Sequence, residues 1–235
     1  MKNIVIGIEG LVGSGKTAIC KEMLKSIPNS ILLQGGNLYR AIAFALISSG
    51  MELNKLKLDL KCTDIKSIME DLKITLEIED RDTVIYLDGK KIDEVDLQSI
   101  TSSLAVSEII NVADNQNLYL FARDIIDSLK ENFNVIVSAR DLMKIYPDLD
   151  YHFLVTASLE ERVRRKCIQY ENKVDLVELR KNLVERDNLH KKAGFHHIYD
   201  NTIVVDITEC NSVLESTQKV LRHILVNGHP VKFDD

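Results

Sequence analysis

The stretch GLVGSGKT, Gly10 to Thr17, narrows the folds open to this chain more than any other. It matches G-x-x-x-x-G-K-[ST], follows the apolar run IVIGI (4–8) and leads into the helical pattern TAICKEMLKSI, which is the strand, loop and helix the pattern requires. Gly10, Gly13 and Gly15, with Ser14 between them, let backbone N–H groups turn inward around phosphate oxygens. Lys16 supplies a point charge toward the outer phosphates, and Thr17 offers a hydroxyl to Mg2+.

The rest of the chain keeps the same rhythm. Apolar runs recur as ILL (31–33), VIV (135–137), YHFLV (151–155) and TIVVDI (202–207), which read as buried parallel strands. Helical patterns such as LYRAIAFALISS lie between them, and Ser158 with Glu161 forms a capping box for LEERVRRKCIQY. Alternating strands and helices mean an α/β layered fold. Residues 74–92 break the pattern: Ile74, Leu76 and Ile78, then Val84 and Tyr86, alternate with polar residues, and turn signals stand at Asp80 to Asp82 and at Asp88-Gly89. This is a small antiparallel meander, expected as a subdomain inserted at about 62–105.

A net charge of −6, from 30 Lys and Arg against 36 Asp and Glu, argues against a dedicated nucleic-acid binder and favours small-molecule partners. Cys20, Cys62, Cys167 and Cys210 are far apart with no CxxC pair, so they read as reduced thiols, Cys20 as a core residue. IVIGI is too short for a signal-peptide core, and no run approaches the about 18 apolar residues of a membrane span. A soluble, cytoplasmic chain without a membrane partner is expected. Three prolines and ten glycines leave no room for a linker, so residues 1–227 read as one domain and 228–235 as a tail.

A phosphate loop alone does not separate a GTPase from a kinase. NKVD (172–175) fits the guanine-reading NKxD, yet it follows CIQYE in a charged helical stretch instead of ending a buried strand, and the chain has no D-x-x-G. The polar residues instead collect at the carboxyl ends of the strands, where open α/β sheets gather ligands. QGGNLYR follows ILL, Ser138 to Asp141 follow VIV, and Thr156 to Ser158 follow YHFLV. Arg40, Arg140 and Asp141 can meet there in a crevice facing Lys16, or each can be a solvated salt bridge. His190, His196 and His197 lack a third ligand at metal-binding spacing and read as surface histidines.

Taken together, IEGLVGSGKTA, QGGNLYRA, YLDGKKI, SARD, IYPDLDYHFLVTASLEERVRR and ERD, in this order, resemble bacterial cytidylate kinase up to about Thr208. The resemblance implies the P-loop NTPase fold of the nucleoside monophosphate kinases. That fold is three α/β/α layers on a central parallel sheet, with a small antiparallel nucleoside-binding insertion and a helical lid at about 159–190. It implies transfer of the γ-phosphoryl group of ATP to CMP or dCMP with Mg2+, by a monomer. Gly10 and the run Gly13 to Ala18 would hold ATP, with Thr17 on the metal. Gly36, Tyr39, Arg40, Arg140, Asp141 and Arg186 would hold the acceptor, Arg40 and Arg140 on its phosphate and Asp141 on the base amino group. Arg162, Arg164 and Arg165 would open the lid, so that Lys16, Arg140, Arg162 and Arg186 are the catalytic cations.

The departures fall on the acceptor side. Gln34 stands where the family has a carboxylate, and the window Asp114 to Asn117 lacks the family's cytosine-binding arginine. His190 and Ala193 replace an aspartate and an arginine after ERD, and Lys191 and Lys192 restore charge without a bidentate fork. Three functions fit this pattern: a CMP or dCMP kinase, a kinase for another small acceptor, or a nucleotide-binding regulator that has lost turnover.

Overall fold

The runs read as strands are strands, and their burial explains their composition. The structure is a computed structural model that describes residues 2–48, 65–93, 97, 116–226 and 228–231. The chain divides into two compact units, residues 1–32 with 130–235, and residues 33–129.

In the first unit β1 (Val5–Gly10) is buried along its whole length. It lies parallel between β6 (Asn134–Ser138) and β7 (Tyr151–Thr156), and β8 (Thr202–Asp206) continues the parallel sheet beyond β7. β2 (Ser30–Leu33) flanks β6. Strands covered on both faces need the Ile- and Val-rich runs the sequence carries. Helix α1 (Lys16–Ser26) buries Ile19, Cys20, Met23 and Leu24, one face of a helix, in the core that holds Ile6, Ile8, Ile136, Phe153 and Val220. Cys20 is fully buried there, as its reading as a core residue expects.

Parallel strands put all their carboxyl ends on one side. Ile8 pairs with Ser138 and Gly10 with Val155, so the segment carrying Arg140 and Asp141 leaves the sheet beside Gly10. Two helices, Leu159–Gln169 and Leu176–Lys192, pack on each other over the segment expected as a lid. Ser158 caps the first through Glu161 N at 3.2 Å. The reciprocal half of the capping box is not made: Ser158 N donates to Thr208 Oγ1, and the Glu161 carboxylate turns to Arg164 and Arg165. NKVD is the turn between these helices, and Asp175 caps the second through Glu178 N at 2.8 Å. That role accounts for the motif without guanine.

In the second unit helix Gly35–Ser48 buries Leu38, Ala41, Ile42 and Ala45 against Ile65, Ile68 and Met69 of helix Ile65–Asp71 and against Ile74 and Ile85. The meander is present as β3 (Ile74–Glu79), β4 (Asp82–Leu87) and β5 (Lys90–Lys91). One expectation fails. The turn through Asp80 and Arg81, both at positive φ, is two residues long, so Ile78 faces Thr83 and Leu76 faces Ile85. Thr83 and Ile85, not Val84 and Tyr86, therefore point to the buried side; Tyr86 instead reaches Glu79 across the ribbon. Of the insertion expected at about 62–105, residues 62–64, 94–96 and 98–105 lie outside the described residues, and so do Asp114 and Asn115.

Beyond β8, helix Val213–Leu221 packs on α1. The tail begins as a short hairpin, Leu225–Val226 with His229–Pro230, and Val231 is buried in the core of the first unit. No helix of the described residues is long and apolar enough to cross a membrane.

Candidate active site

The loop after β1 has the backbone its sequence demands. Gly13 and Gly15 stand at φ 80° and 91°, in the left-handed region that other residues rarely adopt. At Gly10 the constraint is space, since a Cβ there would lie 2.3 Å from the Val155 carbonyl oxygen. Helix α1 starts at Lys16 with no side-chain cap, which leaves its first N–H groups to the loop's ligand. The buried Ser14 hydroxyl has no hydrogen-bond partner among the described residues. Lys16 Nζ donates to the Gly10 and Leu11 carbonyls at 2.6 and 3.0 Å, so its donors rest on the loop itself. Burial and the nearby Arg140 push the Lys16 pKa down to about 7. An uncapped helix start, an orphaned hydroxyl and a cation parked on carbonyls fit polyphosphate, and Thr17 beside them fits a magnesium ligand.

Arginines of helix Leu159–Gln169 brace this loop from behind. Arg162 is buried; its guanidinium donates to Ala157 O, to Val12 O and, at 2.7 Å, to Asp187. Arg165 donates to Ser14 O and Ile207 O, and its Nε to Glu161. Arg164 is more than half exposed and, among the described residues, pairs only with Glu161. Of the three arginines, Arg162 and Arg165 are therefore bound to the phosphate loop, and Arg164 lies on the surface.

At the edge of β6, Asp141 is buried at φ 58° and pairs with Lys144 at 2.9 Å. Arg140 is close enough to Lys16 to depress its pKa. Arg186, on helix Leu176–Lys192, is half-buried; burial lowers its pKa while Tyr170 and Asp187 pull the other way. Lys16, Arg140 and Arg186 all act on one further residue, His190.

His190 and His196 are not the surface residues their sequence suggested. His190 is buried, and the His196 side chain is 9% exposed; His197 alone of the three is exposed. The physical reason is the end of their helix. Gly194 at φ 74° donates to Lys191 O, and Phe195 N donates to His190 O at 3.0 Å, a Schellman turn that folds Phe195 and His196 back over His190. The His190 ring sits edge-on to Phe195 and to His196, 5.8 and 5.6 Å between centroids. His196 in turn lies 3.5 Å from Glu9, the residue before Gly10. Glu9 accepts from Leu142 N at 2.6 Å and contacts His152 at 3.3 Å. Burial alone would raise the Glu9 carboxyl, yet the hydrogen bonds from His152, His196 and Leu142 outweigh it and bring the pKa down to about 2. Glu9 and His152 were not singled out from sequence. The polar residue in an otherwise apolar strand, just before the phosphate loop, was the available signal.

The second unit holds the remaining candidates. Gln34 Nε2 donates to Asp82 at 2.9 Å, Asn37 Nδ2 donates to Gln34 Oε1, and Arg40 donates to Asn37 Oδ1 at 3.1 Å. The place of the expected carboxylate is thus taken by an amide that reaches a carboxylate 48 residues away. Gly36 is half-buried in the first turn of the helix, and Tyr39 lies in the next.

Comparison with known proteins agrees with this architecture. The cytidylate kinase family model matches residues 6–227. A cytidylate kinase of Clostridioides difficile (strain 630) is 26% identical over 219 residues, covering 92% of this chain and 94% of its own. One of Caldicellulosiruptor saccharolyticus is 28% identical over 229 residues, covering 94% and 95%. The crystal structure of an uncharacterized protein from Eubacterium ventriosum superposes with a TM-score of 0.50 at 12% identity, over 94% of this chain and 98% of that one, a likeness of fold alone. A phosphate loop on a parallel sheet, followed to its last hairpin by one family's pattern, places this chain in the cytidylate kinase family.

Proposed function

We propose that this chain, an ATP-dependent nucleoside monophosphate kinase, moves the γ-phosphoryl group of ATP to CMP or dCMP. The observation that carries the reading is the gathering of Lys16, Arg140 and Arg186 beside an uncapped phosphate loop, with the nearby carboxylates Glu9 and Asp187 already bound by other groups. Two polyanions must meet in line for this reaction, so fixed cations neutralise their repulsion and stabilise the charge spreading over the transferred group.

In this reading the backbone of Gly10 and Gly13 to Ala18 holds the ATP phosphates, and Lys16 exchanges its two carbonyl partners for phosphate oxygens. Thr17 is the residue that would hold Mg2+, which supplies charge neutralisation between the outer phosphates when bound. On the family pattern, Arg140 is the acceptor-phosphate residue of the first unit and Asp141 takes the amino group of the base, while in the second unit the acceptor residue is Arg40, with Gly36 and Tyr39 beside it on its helix. Arg186 faces the transferring group. Arg162 holds the loop's carbonyls in place, and helices Leu159–Gln169 and Leu176–Lys192 serve as the lid that excludes water as a competing acceptor. The chain works as a cytoplasmic monomer on small molecules.

A second reading has its own support. Gln34, which heads the relay to Asn37 and Arg40, and the buried His190 stand where the resemblance calls for carboxylates, which favours another small acceptor or a regulator without turnover. Coupled ADP release with Mg2+ and ATP, measured against CMP, dCMP, UMP, AMP, GMP and no acceptor, separates the readings. Fast turnover on CMP or dCMP is the expected result. Release at the no-acceptor rate with every nucleotide removes these acceptors and leaves another small acceptor or the regulator.

A further inference from the structure

The roles above leave one buried pair unused. His190 Nδ1 and His196 Nε2 are buried without a hydrogen-bond partner among the described residues, and His196 Nδ1 has only Glu9, 3.5 Å away. The pair sits at the phosphate edge of the first unit: Glu9 precedes Gly10, His196 lies 3.5 Å from Glu9, and His190 lies against His196. Arg140 from the segment after β6, Arg186 from the same helix and Lys16 from α1 all bear on His190 electrostatically, as does His196 from the following loop, and Phe195 packs on it. Each neighbouring carboxylate already has a partner, Asp187 through one of its two oxygens. Glu9 is held by Leu142 N and His152, Asp187 by Arg162 and Asp141 by Lys144. Three cations make this a poor seat for a metal ion. Unspent ring nitrogens among arginines and a lysine are instead what an anion fills. Burial, Arg140, His196, Arg186 and Lys16 hold the His190 pKa down near 2, so the ring is neutral until negative charge arrives.

We propose that His190 donates a ring hydrogen bond to the phosphate of the acceptor nucleotide, and that His196, seated between His190 and Glu9, positions it. The choice of the acceptor over ATP follows from position: Lys16 already rests on two carbonyls of the phosphate loop, whereas His190 stands one helical turn after Arg186 on the same helix. It rests on the acceptor roles given to Arg140 and Arg186. A neutral ring offers one N–H, and a ring that takes up a proton as the dianion binds offers two, so acceptor binding draws a proton from solvent.

Long-range 1H–15N spectra of the full chain, titrated with CMP and separately with inorganic phosphate, read this contact, and calorimetry on the same samples reports binding. Both probes are expected to move the His190 nitrogen resonances toward imidazolium values. H190Q is expected to weaken CMP binding about tenfold and ATP binding by less than about twofold. In H196A the His190 response to phosphate is lost, and H196N restores it, which a merely structural role does not produce. Phosphate that moves His190 where CMP gives no heat keeps the inference and discards the CMP assignment. Heat of binding with His190 unmoved overturns it, and so does a His190 that answers neither probe.

Discussion

The phosphate loop of the first unit and the start of helix Gly35–Ser48 in the second are both assigned anions in the proposed function, but they are built from different materials. The loop is made of backbone: Gly13 and Gly15 at positive φ, Lys16 on two carbonyls, Arg162 and Arg165 on two more. The helix start is made of side chains, with Gln34, Asn37 and Arg40 linked in series and the series ending on Asp82, 48 residues away. A backbone device tolerates few sequences, because its geometry depends on residues that are neighbours in the chain. A side-chain relay can be rewritten one partner at a time, and this is where the chain leaves its family's pattern.

The largest effect that tests this contrast is at Lys16. K16A should lower kcat for ADP release on the order of 10^3-fold with the fold retained, since one charge aimed at the transferring group is lost. A loss below about tenfold would place the main electrostatic stabilisation on Arg140 and Arg186 instead.

Alanine at two glycines sharpens the comparison through stability. At Gly10 the new Cβ meets the Val155 carbonyl oxygen at 2.3 Å, so G10A should cost as much as about 3 kcal/mol in urea unfolding. At Gly36 the nearest atom is the flexible end of Arg40 at 3.9 Å, and G36A should be neutral or stabilising by up to about 1 kcal/mol through helix propensity. Equal costs at the two sites would break the distinction between a rigid loop and a tolerant helix start.

How much was legible follows the same line. The loop, the five strand runs of the first unit and the cap at Ser158 were readable because each rests on residues close in sequence. The side of the meander that faces the core was not, because a two-residue turn through Asp80 and Arg81 sets the register and shifts every side chain by one. The histidines were misread for a different reason. Their burial depends on the Schellman turn at Gly194, and the glycine after the basic helix end Lys191-Lys192 was the signal that the chain folds back there. Glu9 and Gln34 act through partners more than 40 residues away, which spacing does not reveal.

Buried titratable groups give the first unit a pH dependence. His190 is held neutral, with a pKa near 2, whereas the unfolded ring titrates near 6.5. Below about pH 6.5 the unfolded chain therefore binds a proton that the folded chain refuses, and stability falls as pH drops, by up to about 1.4 kcal/mol per pH unit. Glu9 adds a second window. Its pKa is lowered from 4.5 to about 2, so its contribution is complete above 4.5 and is lost as pH falls toward 2. Urea unfolding between pH 8 and 4 should show the first slope, and H190Q should flatten it by about 2 kcal/mol at pH 5 while leaving the decline below 4.5. An unchanged slope in H190Q would mean that His190 accepts its proton in the folded state.

The smallest effect belongs to the relay. Q34A removes the link between Asp82 and Asn37 and leaves Arg40 with its bond to Asn37. The bond to the Asp82 carboxylate contributes about 1.5 to 3 kcal/mol and the neutral one from Asn37 about 0.5 to 1.5, but both lie behind Arg40, so the acceptor KM should rise by no more than about tenfold, with the ATP KM and kcat near their original values. The direction of a second change is more telling than its size. If the amide only orients Arg40, then Q34D, which restores a carboxylate but sets it against Asp82, should raise the acceptor KM as well. A lower KM in Q34D would instead mean that this position contacts the acceptor and that a carboxylate suits it better. The relay would then be a retreat from cytidylate recognition.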